Sequence, residues 1–113
     1  MPSLSLRINL DPEGRIGPGK IDLLEQIASS GSISAAARAM DMSYKRAWDL
    51  VDEMNVLFGR SLVAAQTGGR HGGGATLTPF GTTVVTRFRA IESAALAAAA
   101  PHLAVLQAEL DEK

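Results

Sequence analysis

Two adjacent basic residues, Lys45 and Arg46, open a segment with helical periodicity, directly after a serine and a tyrosine. A cationic side chain in the first turn of a helix can donate hydrogen bonds to O6 and N7 of guanine. Ser43 and the free amides of a helix start can hold a phosphate, and Tyr44 flanks the same face. Asp49, one turn later, can orient Lys45 or Arg46, or accept from a cytosine amino group. This spacing predicts a helix that reads DNA; ordinary solvated charges are the alternative.

Some neighbouring charged residues favour the prediction of DNA binding and others argue against it. Arg38, with Ser34 before it on a short alanine-rich segment, is expected either to contact a phosphate or to face water. Asp52 and Glu53 argue against DNA binding, because carboxylates repel phosphates. We expect these two acids to lie beyond the groove, past the first turns of the reading helix.

A glycine-rich stretch at residues 67–74 carries Thr67, Arg70 and His71, and no acidic residue occurs from 60 to 74. Such a loop can bring its backbone and its cations close to a minor groove or to flanking phosphates. A mobile surface loop is the alternative. A nucleotide-binding phosphate loop is disfavoured, because it needs a lysine and a hydroxyl residue after the last glycine, where this chain has Ala75.

Composition limits the classes of function that remain. The 113 residues fit one domain, and the net charge of −1 requires any nucleic-acid signal to be local. Cysteine is absent, and His71 and His102 lack further ligands at metal spacing, so no metal site is expected. No Ser-His-Asp set or paired carboxylates stand out, so we expect neither an enzyme nor a cofactor.

The longest apolar run, residues 94–100, is shorter than the roughly 20 residues of a membrane span, and the start lacks a secretory signal. A cytoplasmic protein without a membrane partner is expected.

Periodicity predicts the elements that position these residues. Residues 4–10 alternate as a strand, a turn follows, and helices are expected from Pro18 to Gly31, over a short segment capped by Ser32 or Ser34, and over 44–58. Two short strands then flank the glycine-rich stretch as a hairpin, and Thr78 opens a long helix that Pro101 interrupts or ends. A short helix, a tight turn and a longer helix form the helix-turn-helix pattern. The predicted fold is mainly α with a small β-hairpin wing, in one domain: strand and turn (1–15), winged helix-turn-helix core (18–80), long helix and tail (81–113).

The long helix carries more apolar residues than a small domain can cover, and the first strand lacks a partner edge. Both features predict a homodimer, since unpartnered apolar faces are commonly buried between copies. Packing of the helix on its own domain is the alternative. The residues expected at a dimer interface are Leu4, Leu6, Ile8, Val84, Val85, Phe88, Ile91 and Ala95.

Three segments resemble one known family in order and spacing: GSISAAARAM at 31–40, SYKRAWD at 43–49 with EMN at 53–55, and TGGRHGGGATLT at 67–78. The first is similar to the N-terminal domain shared by LysR-type regulators and the molybdate-responsive ModE regulators. The other two resemble the ModE branch, and His71 departs from its glycine-dominated tip. The resemblance covers about residues 16–91.

The resemblance implies a winged helix-turn-helix that dimerises and binds double-stranded DNA at a palindromic operator. ModE regulators sense molybdate through C-terminal Mop modules, and this chain ends at Lys113, so we expect it to lack that sensor. Molybdate or a separate sensor protein stays open as a partner, although no residue of this chain supports either. A winged-helix module that binds proteins instead of DNA is the alternative function, because the net charge is near zero.

Overall fold

The described residues form four helices and two antiparallel hairpins. A computed structural model describes residues 2–66 and 74–113. The predicted fold class is confirmed: three helices, a small hairpin and a long last helix form a winged helix-turn-helix. The elements are β1 (Ile8–Leu10), β2 (Gly14–Ile16), α1 (Pro18–Ser30), α2 (Ile33–Ala39), α3 (Tyr44–Phe58), β3 (Val63–Gln66), β4 (Gly74–Leu77) and α4 (Pro79–Asp111).

Capping residues set the helix boundaries where the sequence predicted them. Gly31 ends α1 in a left-handed conformation with φ of 78°, which glycine adopts without a steric penalty. The hydroxyl of Ser32, not that of Ser34, caps α2 by accepting from the amide of Ala35 at 2.9 Å. Ser43 caps α3 in the same way, accepting from the amide of Arg46 at 3.0 Å.

The core lies between α1, α2, α3 and the start of α4. Ala36 and Ala37 of α2 are buried, and their small side chains let α3 approach closely. One face of α3 is buried against them, at the helical spacing that the sequence shows. The buried residues of α3 are Ala47, Leu50, Val51 and Met54.

The root of the second hairpin is hydrogen-bonded to the helices. The amide of Ala75 donates to the carbonyl of Gly31 at 2.8 Å, so β4 is tied to the turn between α1 and α2. The amide of Leu62 donates to the side-chain oxygen of Asn55 at 2.9 Å, which links α3 to the segment before β3. The hairpin therefore keeps a fixed position relative to α3 at its base.

The N-terminal strand differs from the prediction. Only Ile8–Leu10 is a strand, and its partner edge is β2, a three-residue strand that the sequence analysis did not identify. Ile8 pairs with Ile16 and Leu10 with Gly14. Because β2 supplies one edge, the first strand does not need a second chain for that pairing.

Helix α4 is longer than predicted. It continues through Pro101 as far as Asp111, so the proline neither ends nor divides it. Proline removes one backbone donor, and the helix absorbs that loss within a long run of good helix formers. By length and composition alone α4 could cross a bilayer, which the shorter apolar run did not suggest. A single helix of this kind is weak evidence for a membrane span.

A cluster of charges fixes α4 to α1. The guanidinium of Arg89 donates to Asp22 at 2.6 Å, to Glu92 at 2.7 Å, and to Glu25. These hydrogen bonds, the one to Glu25 foremost, raise the pKa of Arg89 above its ordinary value against the opposing effect of burial. The guanidinium therefore stays charged throughout the accessible pH range, and its contribution to stability does not disappear through its own titration.

Gly81→Ala should destabilise the fold. A Cβ at this position would overlap the carbonyl oxygen of Leu62 and lie 3.0 Å from its carbonyl carbon, and backbone atoms cannot rotate away. We expect the free energy of unfolding to fall by roughly 1–3 kcal/mol in urea denaturation, as for an overpacked core. Gly19→Ala is the control, since its Cβ would meet no atom within 4 Å. Equal stability of the two variants would contradict the close approach of α4 to Leu62.

Arg89→Gln should also lower stability, because it leaves the carboxylates of Asp22, Glu25 and Glu92 facing one another. The side chain of Arg89 is 34% exposed, so solvent screening limits the expected loss to roughly 1 kcal/mol. The loss should shrink at high salt, which screens the remaining repulsion. Arg87→Gln is the matched control: this arginine is exposed on the same helix and forms no ion pair within residues 2–66 and 74–113. A salt-independent difference between the variants would contradict the electrostatic role.

Candidate nucleic-acid interface

The start of α3 presents its polar side chains to solvent. Tyr44, Lys45 and Arg46 are exposed, while Ala47, the next residue, is buried. Ser43 is occupied as the cap through its hydroxyl, and it holds the first turn in place. The first turn therefore combines two cations with a helix start, as the sequence predicted from spacing.

Lys45 and Arg46 differ in what surrounds them. The ammonium of Lys45 lies 2.9 Å from a carboxylate oxygen of Asp49, one turn along the helix. Arg46 forms no ion pair with any residue in the described part of the chain. Exposed pairs of this kind contribute little to stability. The contact with Asp49 positions the ammonium of Lys45. The guanidinium of Arg46 has no such partner, so its donors stay available to a ligand.

The aromatic residues of α3 support this first turn. The rings of Tyr44 and Trp48 meet edge to face with centroids 6.3 Å apart. Trp48 is half-buried and packs against the core, whereas Tyr44 is 54% exposed. Trp48 thus anchors the pair, and Tyr44 stays exposed next to the two cations in the sequence.

Arg38 and Ser34 lie together on α2. The guanidinium of Arg38 donates to the hydroxyl of Ser34 at 2.9 Å, and both residues are exposed. This hydrogen bond joins two candidate phosphate-binding residues one turn apart. Neither residue belongs to the core, whose α2 members are Ile33, Ala36 and Ala37.

Asp52 and Glu53, two of the three acids of α3, lie beyond its first turns. Glu53 forms an ion pair with Lys20 of α1 at 3.4 Å, and Asp52 is exposed beside it. The pair with Lys20 partly neutralises this end of the helix. The hairpin candidates Thr67, Arg70 and His71 lie outside the described residues.

The residues expected at a dimer interface occupy two kinds of position. Val84 and Phe88 are 9% and 2% exposed and belong to the core of their own chain, which is the packing alternative raised above. Leu4 and Ile91 are exposed, and Leu6, Ile8, Val85 and Ala95 are half-buried. Ile8 and Ile91 line an apolar groove of about 250 Å³ between the first hairpin and α4. Val84 and Phe88 also line that groove, but as buried residues of the core.

One basic group near α3 was missed by the sequence analysis. Arg7 precedes the first hairpin, Arg15 lies in its second strand, and both line one concave surface with Lys20 and Arg46. Recognising it required β2, whose three residues are too few to show an alternating pattern. The only available signal was the isolated basic character of residues 7, 15 and 20.

The segment that contains the candidate interface is similar to known proteins. Residues 19–82, which run from α1 through the second hairpin to the start of α4, match the family of bacterial regulatory helix-turn-helix proteins of the LysR type. The chain is 48% identical over 79 residues to the molybdenum-pterin-binding protein MopB of Rhodobacter capsulatus, covering 70% of this chain and 29% of MopB. It is 43% identical over 88 residues to the molybdenum transport protein ModE of Azotobacter vinelandii, covering 76% and 33% of the two chains.

A third relative is the DNA-binding transcriptional dual regulator ModE of Escherichia coli, 50% identical over 68 residues, or 60% of this chain and 26% of the regulator. In each of these relatives the match thus covers a third of the protein or less. The name of the family and that of the Escherichia coli relative indicate a transcriptional regulator and not an enzyme, as the sequence predicted. The match in residues 19–82 spans more than half of the chain and all three helices around the candidate interface. The chain therefore belongs to the LysR family of bacterial regulatory helix-turn-helix proteins.

Proposed function

We propose that this chain is the DNA-binding part of a ModE-type transcriptional regulator, which binds a palindromic operator as a homodimer through residues 43–58 and the hairpin loop at 67–74. The observation that carries this proposal is the exposed pair Lys45 and Arg46 at the Ser43-capped start of α3. The apolar face of α3 is held in the core, so the opposite face is the one offered to a groove.

Each residue of the interface has a proposed role. Arg46 donates to a guanine edge, because its guanidinium is uncommitted and can bond O6 and N7 together. Lys45, positioned by Asp49, contacts a base edge or a phosphate, and Tyr44 contacts the adjoining backbone. Phosphates on either side are held by Ser43, by Ser34 with Arg38, and by the loop residues Thr67, Arg70 and His71.

The apolar surface of α4 supports the homodimer. From residue 96 onward no residue of this helix is buried, and the described residues measure 59 Å along their longest axis. Val105, Leu106 and Leu110 are each more than 60% exposed, which is unusual for large apolar residues on one helix. A two-fold dimer would place two copies of α3 on successive turns of DNA and would explain a palindromic site.

Molybdenum enters only through the names of the relatives. Molybdate is therefore an added variable in the test and not a required component. We place the protein with its DNA partner in the cytoplasm.

The direct test measures binding of the purified chain to promoter fragments from its own genome at two salt concentrations, with and without molybdate. We expect tight binding to a subset of fragments that weakens steeply with salt, because phosphate contacts release counterions. Absence of selective binding in every condition would contradict the proposal and favour the protein-interaction module. A molybdate effect would show that this part of the regulator responds to the oxyanion.

Arg46→Ala should weaken binding to the preferred fragment by roughly 1–3 kcal/mol, since it removes one bidentate hydrogen-bonded pair with a base. Arg46→Lys is the informative companion, because it keeps the charge and removes the planar fork. It should retain binding to random DNA and lose preference for the operator. Both variants should keep the circular dichroism spectrum of the parent, and unchanged selectivity in both would remove Arg46 from base readout.

Leu106→Asp should reduce the dimer to a monomer in sedimentation equilibrium, because it places a charge within the apolar surface of α4. Val56→Asp is the control, since Val56 is 74% exposed on α3, away from α4. That variant should keep the parent mass. If Leu106→Asp also keeps the parent mass, the distal half of α4 is not the dimer interface.

A further inference from the structure

A concave surface of about 500 Å³ lies beside the first turn of α3 and is lined by four basic side chains. They come from different parts of the chain: Arg7 precedes β1, Arg15 lies in β2, Lys20 is in the first turn of α1, and Arg46 is in α3. Residues distant in sequence thus bring the same charge to one surface. The remaining lining is supplied by glycines, Pro18, Met40, Met42 and Leu50.

Most of this positive charge is not neutralised. Lys20 is committed, since its ammonium contacts Glu53 at 3.4 Å and donates to the carbonyl of Arg15 at 3.1 Å. No carboxylate in the described part of the chain lies within ion-pair distance of Arg7, Arg15 or Arg46. The nearby acids Glu13, Asp52 and Glu53 line an adjoining concave surface, which Arg15 and Lys20 line as well.

The start of α1 opens onto the same surface. Gly17 caps this helix without a side-chain hydrogen bond, and Pro18 follows it. The first amides of a helix lack partners within it and attract anions. A Cβ at Gly19 would meet no atom within 4 Å, so the space beside this residue is open. Amides and guanidinium groups together suit a phosphate oxygen better than a base edge.

We infer that Arg7 and Arg15 extend the DNA interface, so that the first hairpin binds a backbone phosphate beside the groove that α3 occupies. This inference rests on the proposed function and adds a contact outside the helix-turn-helix and the second hairpin. The surface is shared with Arg46, which the proposed function places on the DNA, so a phosphate next to that groove is within its reach. A DNA phosphate is favoured over a free anion because the surface is open and both arginines are exposed.

The test compares the double variant Arg7→Gln/Arg15→Gln with the parent, using the selected fragment and a scrambled fragment over a salt series. Glutamine keeps most of the side-chain stem and removes only the charge. We expect weaker binding to both fragments by a similar factor, and a salt slope reduced by roughly 0.9 for each phosphate that the variant no longer binds. For the single phosphate of this inference, the affinity ratio of parent to variant falls roughly 3.5-fold as salt rises fourfold.

Lys113→Gln is the matched control, since it removes one charge at the far end of the chain and should leave the slope unchanged. Thermal unfolding of each variant checks the fold, and the single variants Arg7→Gln and Arg15→Gln serve if the double variant is unfolded. If the arginine variants keep the salt slope of the parent protein, the inference is wrong. Loss of sequence preference, with the slope retained, overturns it equally.

Two further measurements separate this inference from its alternatives. If the parent protein binds DNA and Arg46→Ala weakens it while the arginine variants do not, the inference fails and the proposed function stands. If the parent shows no salt-dependent binding, both fail. Calorimetry with inorganic phosphate and no DNA tests the free anion: binding that requires Arg7 and Arg15, with an unchanged DNA slope, overturns the inference.

Discussion

The buried face of α3 determines what the protein presents to its surroundings. Leu50, Val51 and Met54 are packed against α1 and α2, so the helix cannot rotate without exposing them. A rotation by one residue, about 100°, would also carry charged side chains into the core, where burial without a partner is costly. The small side chains of α2 let this packing form at close range. The outward direction of Lys45 and Arg46 is thus a consequence of apolar packing on the other side of their helix.

Helices whose ends carry capping residues were predictable from the sequence. Ser43 and Gly59 bound α3 because a hydroxyl cap and a left-handed C-cap act within a few residues of the helix end. The outward face of α3 follows from periodicity alone. Elements that depend on distant partners were not predictable: β2 is too short to carry a pattern, and it exists because β1 pairs with it.

The same distinction applies to the candidate site and to α4. Pro101 is a local signal that a long helix overrode, and Val84 and Phe88 look like interface residues until the core beside them is known. Arg7, Arg15 and Arg46 line one surface only because the fold brings distant parts of the chain together. No spacing along the chain could have placed residues 7 and 46 side by side.

Nearly neutral overall charge conceals an uneven distribution. Several carboxylates are engaged by cations away from the start of α3, as where Arg89 gathers acids from α1 and α4. Others lie toward the middle of α3, where Glu53 contacts Lys20. Engaged acids neutralise their own partners and leave other cations unopposed. A chain with a net charge of −1 can therefore offer a positive surface to a polyanion.

The clamp formed by Arg89 adds a mechanical consequence. It holds α4 at a set angle to α1, and in a dimer joined through α4 that angle fixes the distance between the two copies of α3. Salt screens this partly exposed clamp as well as the phosphate contacts. In the proposed dimer, ionic strength would thus act twice, by weakening the binding to each half-site and by loosening the frame that matches their spacing. A plot of log affinity against log salt would then curve downward and depart from the straight line of counterion release alone.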